Sequence, residues 1–235
     1  MSTLPELSIV IPAYNEEAAI AGTVRSWAAE ADRLHIPHEL IVIDDGSTDR
    51  TGSVLEALAA QVPSLRVRHH ANRGHGPTIL DGYQQATGTW VLQVDSDDEV
   101  GTGPFEGFWR ARNDHDVLIG RRRGRTLSLS RRLLSAAARG VVRLLFGRTL
   151  ADVNSPYRLM RRSVLAVLLT HVPSDTFAPN VAISGLALGR GLRVTEIDVP
   201  CRPQTGRPAP GWGAMGAGMR SLVQLLSIAS RAQSG

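Results

Sequence analysis

Lysine is absent from this sequence, and all 26 basic residues are arginine. No side-chain ammonium can therefore act as a base or as a Schiff-base nucleophile, and every cation is a guanidinium suited to phosphate. Cysteine occurs once, at Cys201. A single thiol excludes an internal disulfide framework and a zinc site built from cysteines, and it fits a reducing compartment.

Long apolar runs are also missing. No window holds the roughly 18 uncharged apolar residues that a membrane-spanning helix requires, so we expect none. The stretch before residue 7 has no basic n-region and is not typical of a signal peptide. With 235 residues, 43% of them hydrophobic, the chain can bury one sizeable core, and we predict a single domain over residues 1–235.

Predicted strands and helices alternate along the first hundred residues. The strands are at 7–11, 40–43, 65–69 and 90–94, and the helices at 16–34, 50–61 and 76–86. This alternation predicts an α/β fold with a Rossmann-like, mostly parallel sheet covered by helices on both faces. The later pattern is less regular. It predicts strands at 117–120, 157–160 and 192–199, helices at 130–146, 178–188 and 219–231, and a mobile loop at 202–211.

Polar loops follow three of the predicted strands. They are Pro12-Ala13-Tyr14-Asn15-Glu16, Asp44-Asp45-Gly46-Ser47-Thr48-Asp49 and Asp95-Ser96-Asp97. In a parallel sheet these loops meet at the carboxyl edge, where open α/β sheets bind ligands. Asp95 and Asp97 are two residues apart, so they point to the same side of an extended chain. Their hard oxygens suit Mg²⁺ or Mn²⁺ carrying a diphosphate. Tyr14 and Pro12 can wall a nucleoside slot, and Asp44 can accept from a base or a ribose hydroxyl.

These three motifs, taken with the segment 72–76 (NRGHG), resemble the inverting family-2 glycosyltransferases, which have the GT-A fold. The resemblance is firm over roughly the first 100 residues. It implies a nucleotide-sugar donor such as GDP-mannose or a UDP-hexose, a divalent metal, and inversion at the anomeric carbon. It also assigns the metal and diphosphate to Asp95 and Asp97. The residues expected at the nucleoside or elsewhere on the donor are Pro12, Ala13, Tyr14, Glu16, Asp44, Asp45 and Ser96.

An arginine-rich stretch marks the second half. Between Asp116 and Asp152 the chain has nine arginines and no acidic residue. A solvated basic face is the usual meaning of such a run. The sharper hypothesis is a phosphate clamp. Arg131 and Ser135 share one face of the predicted helix at i and i+4, and Arg121 arrives from the end of the preceding strand.

This half resembles the polyprenyl-phosphate sugar synthases, such as the dolichyl-phosphate mannose synthases. The matching segments are 120–121 (GR), 131–135 (RRLLS) and 152–158 (DVNSPYR). Pro156 and Tyr157 depart from the usual glycine and phenylalanine. The resemblance implies that Glu99, where glutamine is usual, is a third metal ligand, and that Arg202 belongs to a loop that closes on the donor phosphate. It assigns no role to His75.

A lipid phosphate is already anionic and needs no general base, so catalysis would rest on alignment and on stabilising the leaving diphosphate. We therefore predict sugar transfer to a polyprenyl phosphate, with residues 1–100 binding the donor and 101–210 the acceptor. The first alternative is a family-2 enzyme with a hydroxyl acceptor, which requires a base, and Asp175 is the candidate. The distant alternative is a basic nucleic-acid module. It lacks recognised motifs, and we expect no nucleic-acid partner.

Two predicted amphipathic helices offer a membrane contact. The apolar sides of helix 130–146 and of the final helix, within residues 211–235, can rest on anionic lipid. We therefore expect a cytoplasmic protein, peripheral at the inner face of the cell membrane. Core packing and a dimer contact are the alternatives. The sugar, the base, the lipid length and the oligomeric state stay open.

Overall fold

The computed structural model describes residues 4–124, 129–202, 224, 225, 227 and 228, and for residues 129–132 and 134 it describes the backbone alone. Strands and helices alternate regularly as far as the fourth strand. The elements are β1 (Leu7–Ala13), α1 (Ile20–Arg33), β2 (His38–Asp44), α2 (Thr51–Ala59), β3 (Leu65–His69), α3 (His75–Gln85) and β4 (Trp90–Gln93). The second half continues with α4 (Phe105–Ala111), β5 (Val117–Arg123), α5 (Leu129–Phe146), β6 (Arg158–Arg161), α6 (Arg162–Leu169), α7 (Pro179–Gly189) and β7 (Val194–Pro200).

The strands form one seven-stranded sheet in the order β3-β2-β1-β4-β6-β5-β7. Only β6 runs antiparallel to its neighbours, β4 and β5, so the prediction of a mostly parallel sheet is confirmed. In the register, Ala13 pairs with Asp44, the last residue of β2. Gln93, the last residue of β4, pairs with Val10. The loops after β1, β2 and β4 therefore leave the sheet at one edge.

Side chains from alternate positions of the strands fill two separate cores, one on each face of the sheet. Val10, Ile41 and Val91 belong to one core, and Ile9 and Val42 to the other. Each buried side chain of this size contributes about 1.5–3 kcal/mol. Helices cover both faces, as the sequence predicts. The sheet is thereby rigid, and the loops at its carboxyl edge are held on a fixed base.

Three details differ from the sequence prediction. Helix α1 begins at Ile20 and not at 16, because the N–H of Glu16 donates to Thr51 Oγ1 in the neighbouring loop (2.8 Å). The short helices α4 and α6 were not predicted, since seven and eight residues carry too little periodicity. The loop predicted at 202–211 lies outside the described residues beyond position 202.

The described part of the C-terminal segment packs on the protein itself. Leu225 and Ile228 are 4% and 0% exposed and belong to the same core as α5 and α7. For these two side chains, the structure therefore shows packing against the domain, which was one of the alternatives to membrane contact. The rest of the predicted helix 219–231 lies outside the described residues. Among the helices that are described, none is long and apolar enough to cross a bilayer.

Candidate active site

A cleft of about 400 Å³ opens at the carboxyl edge of the sheet. It is formed by the loops after β1, β2 and β4, together with the loop that enters α3. Its lining residues are Pro12, Ala13, Tyr14, Glu16, Asp45, Asn72, Gly74, His75, Thr78, Asp95 and Ser96. Six of the predicted donor-binding residues are thus brought together.

The loop after β1 is tied to the loop after β2. Asn15 has a positive φ of 53°, and its N–H donates to Ser47 Oγ (2.9 Å). In return, the N–H of Thr48 donates to Asn15 Oδ1 (2.8 Å). Asparagine tolerates this left-handed backbone better than most residues, which explains its use at the turn. The turn presents Tyr14, which is 46% exposed, at the wall of the cleft.

The two adjacent aspartates after β2 have different surroundings. Asp44 does not line the cleft. Its carboxylate accepts hydrogen bonds from the N–H and Oγ of Ser47 (3.0 and 2.5 Å) and lies 2.9 Å from His69 Nδ1. Burial raises the pKa of Asp44, but these hydrogen bonds outweigh it and hold the pKa below its usual range. The carboxylate of Asp44 is therefore already hydrogen-bonded within the protein, and its contact with the nucleoside stays a prediction.

Of these two adjacent aspartates, Asp45 is the one that lines the cleft. Its two carboxylate oxygens accept from the backbone N–H groups of Arg73 (2.7 Å) and Gly74 (2.9 Å). One buried carboxylate thus fixes the loop that enters α3 against the loop after β2. The sequence does not show which of the two aspartates faces the cleft, because adjacent residues at the end of a strand differ only in the side of the sheet to which they point.

The loop after β4 carries the carboxylate pair. Asp95 and Asp97 are half-buried, and Asp95 Oδ1 lies 4.0 Å from Nε2 of His75. Asp97 Oδ1 accepts from the N–H of Glu99 (3.1 Å), and the carbonyl of Ser96 accepts from Thr23 Oγ1 (2.8 Å). These bonds hold the loop in one conformation. Two carboxylates are suitable donors for Mg²⁺ or Mn²⁺, which prefer oxygen ligands.

The carboxylate of Glu99 contacts an arginine. Its side chain is 4% exposed and forms an ion pair with Arg122 (Oε2 to Nη1, 3.3 Å). Among the residues that the structure describes, no three acidic, histidine or cysteine side chains are arranged to hold a metal ion. The carboxylate of Glu99 is thus held in a buried ion pair with Arg122, and the metal site of Asp95, Asp97 and Glu99 stays a prediction.

The predicted phosphate clamp is only partly assembled. Arg121 pairs with Asp198 on β7, and its side chain alternates to the face opposite Arg122. Ser135 is half-buried on α5. The backbone of Arg131 lies one turn earlier in the same helix, but its side chain is outside the described part of the structure. Arg122 therefore contacts Glu99, whereas Arg121 contacts Asp198. The sequence alone does not show which of two consecutive arginines makes which contact.

The remaining candidates surround the carboxylate loop. Arg202 donates its N–H to the carbonyl of Glu99 (2.8 Å) and pairs through its side chain with Asp98, so it lies beside this loop, and its contact with the donor phosphate stays a prediction. His75, to which no role was assigned, lines the cleft. Asp175 does not line it, and its carbonyl accepts from Gln224 (3.2 Å).

Comparison with known proteins places this geometry in a family. The family model described as Glycosyl transferase family 2 matches residues 8–169. The chain is 31% identical over 185 residues to an undecaprenyl-phosphate 4-deoxy-4-formamido-L-arabinose transferase of Pectobacterium atrosepticum, across 76% of this chain and 56% of that protein. It is 32% identical over 196 residues to the Shewanella sediminis protein of the same description, across 82% and 58%. The chain therefore spans a little over half the length of these relatives.

Solved structures with similar folds are also glycosyltransferases. A mannosyltransferase from Pyrobaculum calidifontis in complex with GDP-Man and Mn²⁺ matches with a TM-score of 0.64 at 22% identity, across 97% of this chain and 65% of that one. Glucosyl-3-phosphoglycerate synthase from Mycobacterium tuberculosis with uridine-diphosphate matches with a TM-score of 0.62 at 24% identity, across 96% and 80%. The expectation of a GT-A fold is confirmed.

Proposed function

The chain belongs to glycosyl transferase family 2, and on that premise we propose that it transfers a sugar from a nucleotide-sugar to a polyprenyl phosphate, with inversion at the anomeric carbon. The cleft at the carboxyl ends of β1, β2 and β4 is the observation that carries the proposal. It combines an aromatic wall, buried acceptors and a carboxylate loop in one concave site, which is what a nucleoside diphosphate requires.

The donor's nucleoside would lie against Pro12 and Tyr14. Asp45, which lines the cleft and is tied to the loop that enters α3, would accept from the base or the ribose. Ser96 and Glu16 also face this space. GDP-mannose and the UDP-hexoses both carry the nucleoside diphosphate that this cleft would hold, so both donor classes belong in the test.

Asp95 and Asp97 would hold Mg²⁺ or Mn²⁺ against the diphosphate. When bound, the cation would neutralise the negative charge that develops on the departing diphosphate. Arg202, anchored beside these carboxylates by its backbone, would add a guanidinium to the same oxygens once its side chain exchanges Asp98 for phosphate. The residues of the protein would align the acceptor phosphate with the anomeric carbon of the donor.

The acceptor proposal is supported by the relatives, which are described as undecaprenyl-phosphate sugar transferases. Arg131 and Ser135 are the candidates for its phosphate, because they lie one turn apart on α5. Arg121 would join them by exchanging Asp198 for the lipid phosphate. An anionic acceptor needs no base, which agrees with the position of Asp175 outside the lining of the cleft.

An exposed apolar stripe on α5 supports contact with the membrane that carries such a lipid. Leu133 and Leu144 are 63% and 83% exposed. They are about three helical turns apart, so they lie on one face. The arginines of the same helix can bind anionic head groups while the leucines enter the interface. We place the enzyme at the inner, cytoplasmic face of the cell membrane.

A transfer assay tests the proposal. The protein is incubated with Mn²⁺, undecaprenyl phosphate and each of several labelled UDP- and GDP-sugars, and label in the organic phase is measured. We expect one donor class to label the lipid, and Arg131→Ala to abolish transfer while Asp175→Asn leaves most of it. The opposite pattern, with label on a hydroxyl acceptor, would favour the alternative enzyme.

A further inference from the structure

Neighbouring arginines of β5 lie on opposite faces of the sheet. Arg121 and Arg123 both pair with Asp198, and their side chains are 37% and 58% exposed. The side chain of Arg122 is only 8% exposed. A guanidinium removed from water to this extent requires hydrogen-bond acceptors or carboxylates around it, because a buried unpaired charge is strongly unfavourable. Its partners therefore indicate what it does.

Arg122 joins two separate segments through two carboxylates. Its Nε and Nη2 donate to the two oxygens of Asp152 (2.8 and 3.0 Å), which is a forked, bidentate pair. Its Nη1 donates to Glu99 Oε2 at 3.3 Å. Burial lowers the pKa of Arg122, but the interactions with Asp152, Glu99 and Asp95 outweigh this and raise it. The guanidinium stays charged, and the loop after β4 is fastened to the segment before β6.

We propose that Arg122 is a positioning residue that holds Glu99 away from the cation, so that the metal site is built from the carboxylates of Asp95 and Asp97. This inference rests on the proposed function and departs from the family resemblance, which implies a ligand at position 99. To reach the cation, Glu99 would have to leave a buried ion pair, and Asp152 and the carbonyl of Asn154 (3.5 Å from Nη2) would remain as partners of the guanidinium.

The net charge of the metal site explains why Glu99 should be kept off the cation. Two carboxylates neutralise a divalent cation, whereas a third would leave the cation site with a net negative charge. A nucleoside diphosphate would then be repelled by the site that has to bind it. Glutamine at position 99 is neutral and would not repel the diphosphate, whereas a glutamate on the cation would. Arg122 offsets the extra charge that Glu99 brings into the loop.

Mn²⁺ binding measures the consequence. Free Mn²⁺ is followed by its electron paramagnetic resonance signal while the metal alone is titrated into wild type, Glu99→Gln, Arg122→Gln, the double variant and the matched control Arg123→Gln. We expect Glu99→Gln and Arg123→Gln to change the Kd by less than about twofold. Arg122→Gln releases Glu99 and should tighten binding by about fivefold or more, and the double variant should lose that gain.

The ion pair itself is measured without metal or donor, by urea unfolding in EDTA. A double-variant cycle for Arg122 and Glu99 should give a coupling of about tenfold in the unfolding constant, which is about 1.4 kcal/mol. If Arg122→Gln does not fold, Arg122→Met takes its place in the cycle, because methionine also removes the charge and keeps an unbranched apolar chain. Additive effects would overturn the proposal, as would a loss of Mn²⁺ affinity of about tenfold in Glu99→Gln. The cycle is independent of sugar transfer, so its failure differs from failure of the proposed function.

Discussion

Replacing Asp45 by asparagine tests how far one carboxylate organises the cleft. Asp45 is 4% exposed, and its two oxygens accept from the N–H groups of Arg73 and Gly74. Asparagine keeps one oxygen and turns an NH₂ group toward the other N–H. Because hydrogen bonds to charged groups contribute about 1.5–3 kcal/mol each, we expect a loss of about 2–3 kcal/mol. In a chain of this length that lowers the Tm by about 4–12 °C.

The same substitution should weaken nucleotide binding, because Gly74 and Asp45 both line the cleft. Thermal unfolding and isothermal titration with UDP and GDP in the presence of Mn²⁺ measure both effects. We expect nucleoside diphosphate affinity to fall by about tenfold or more, which is about 1.4 kcal/mol. Asp32→Asn, whose side chain is 74% exposed, is the matched control. If Asp45→Asn behaves like Asp32→Asn in both assays, the carboxylate does not organise the site.

Two further predictions concern the same edge of the sheet. Gly46 has a φ of +71°, and an added Cβ would lie 2.7 Å from the backbone nitrogen of Asn72; Gly46→Ala should therefore lower the free energy of unfolding by more than about 1–2 kcal/mol. Gly107→Ala, at an open position within α4, should instead stabilise by about 0.5–1 kcal/mol in the same urea experiment, and equal effects would contradict the account. The hydrogen bond to Asp44 raises the pKa of His69 above its ordinary 6.5, so this pair contributes stability below pH 6.5 that is lost as the pH rises through the raised value. His69→Gln should flatten that part of the pH–stability profile, and an unchanged slope would exclude the pair as its source.

The sequence predicted the parallel half of the fold well, because β1, β2 and β4 are continuous apolar runs, each ending in polar residues. It also predicted that their loops converge, since parallel strands share a carboxyl edge. The second half was harder. The short helices α4 and α6 give little periodicity, and strand β6 owes its antiparallel place to pairing with β4 and β5, which no local pattern records.

Within the site, the sequence identified the loops but not the direction of each side chain. Of the two adjacent aspartates that it assigned to the donor, Asp45 lines the cleft, and of the adjacent arginines of β5, Arg122 contacts Glu99. In extended chain a step of one residue exchanges the faces of the sheet, so the sequence does not show which of two adjacent, similar side chains faces the site. The burial of Glu99 with Arg122 depends on residues far apart in the chain, so composition and spacing could not show it.

The most direct test of the central claim is metal-dependent nucleotide binding by the carboxylate loop. Isothermal titration with GDP and UDP is carried out with Mn²⁺ and with EDTA on wild type, Asp95→Asn and Asp97→Asn. Wild type should bind at least one of these nucleotides much more tightly with Mn²⁺, and each variant should lose this metal-dependent gain. Undiminished Mn²⁺-dependent binding in both variants would contradict the central claim.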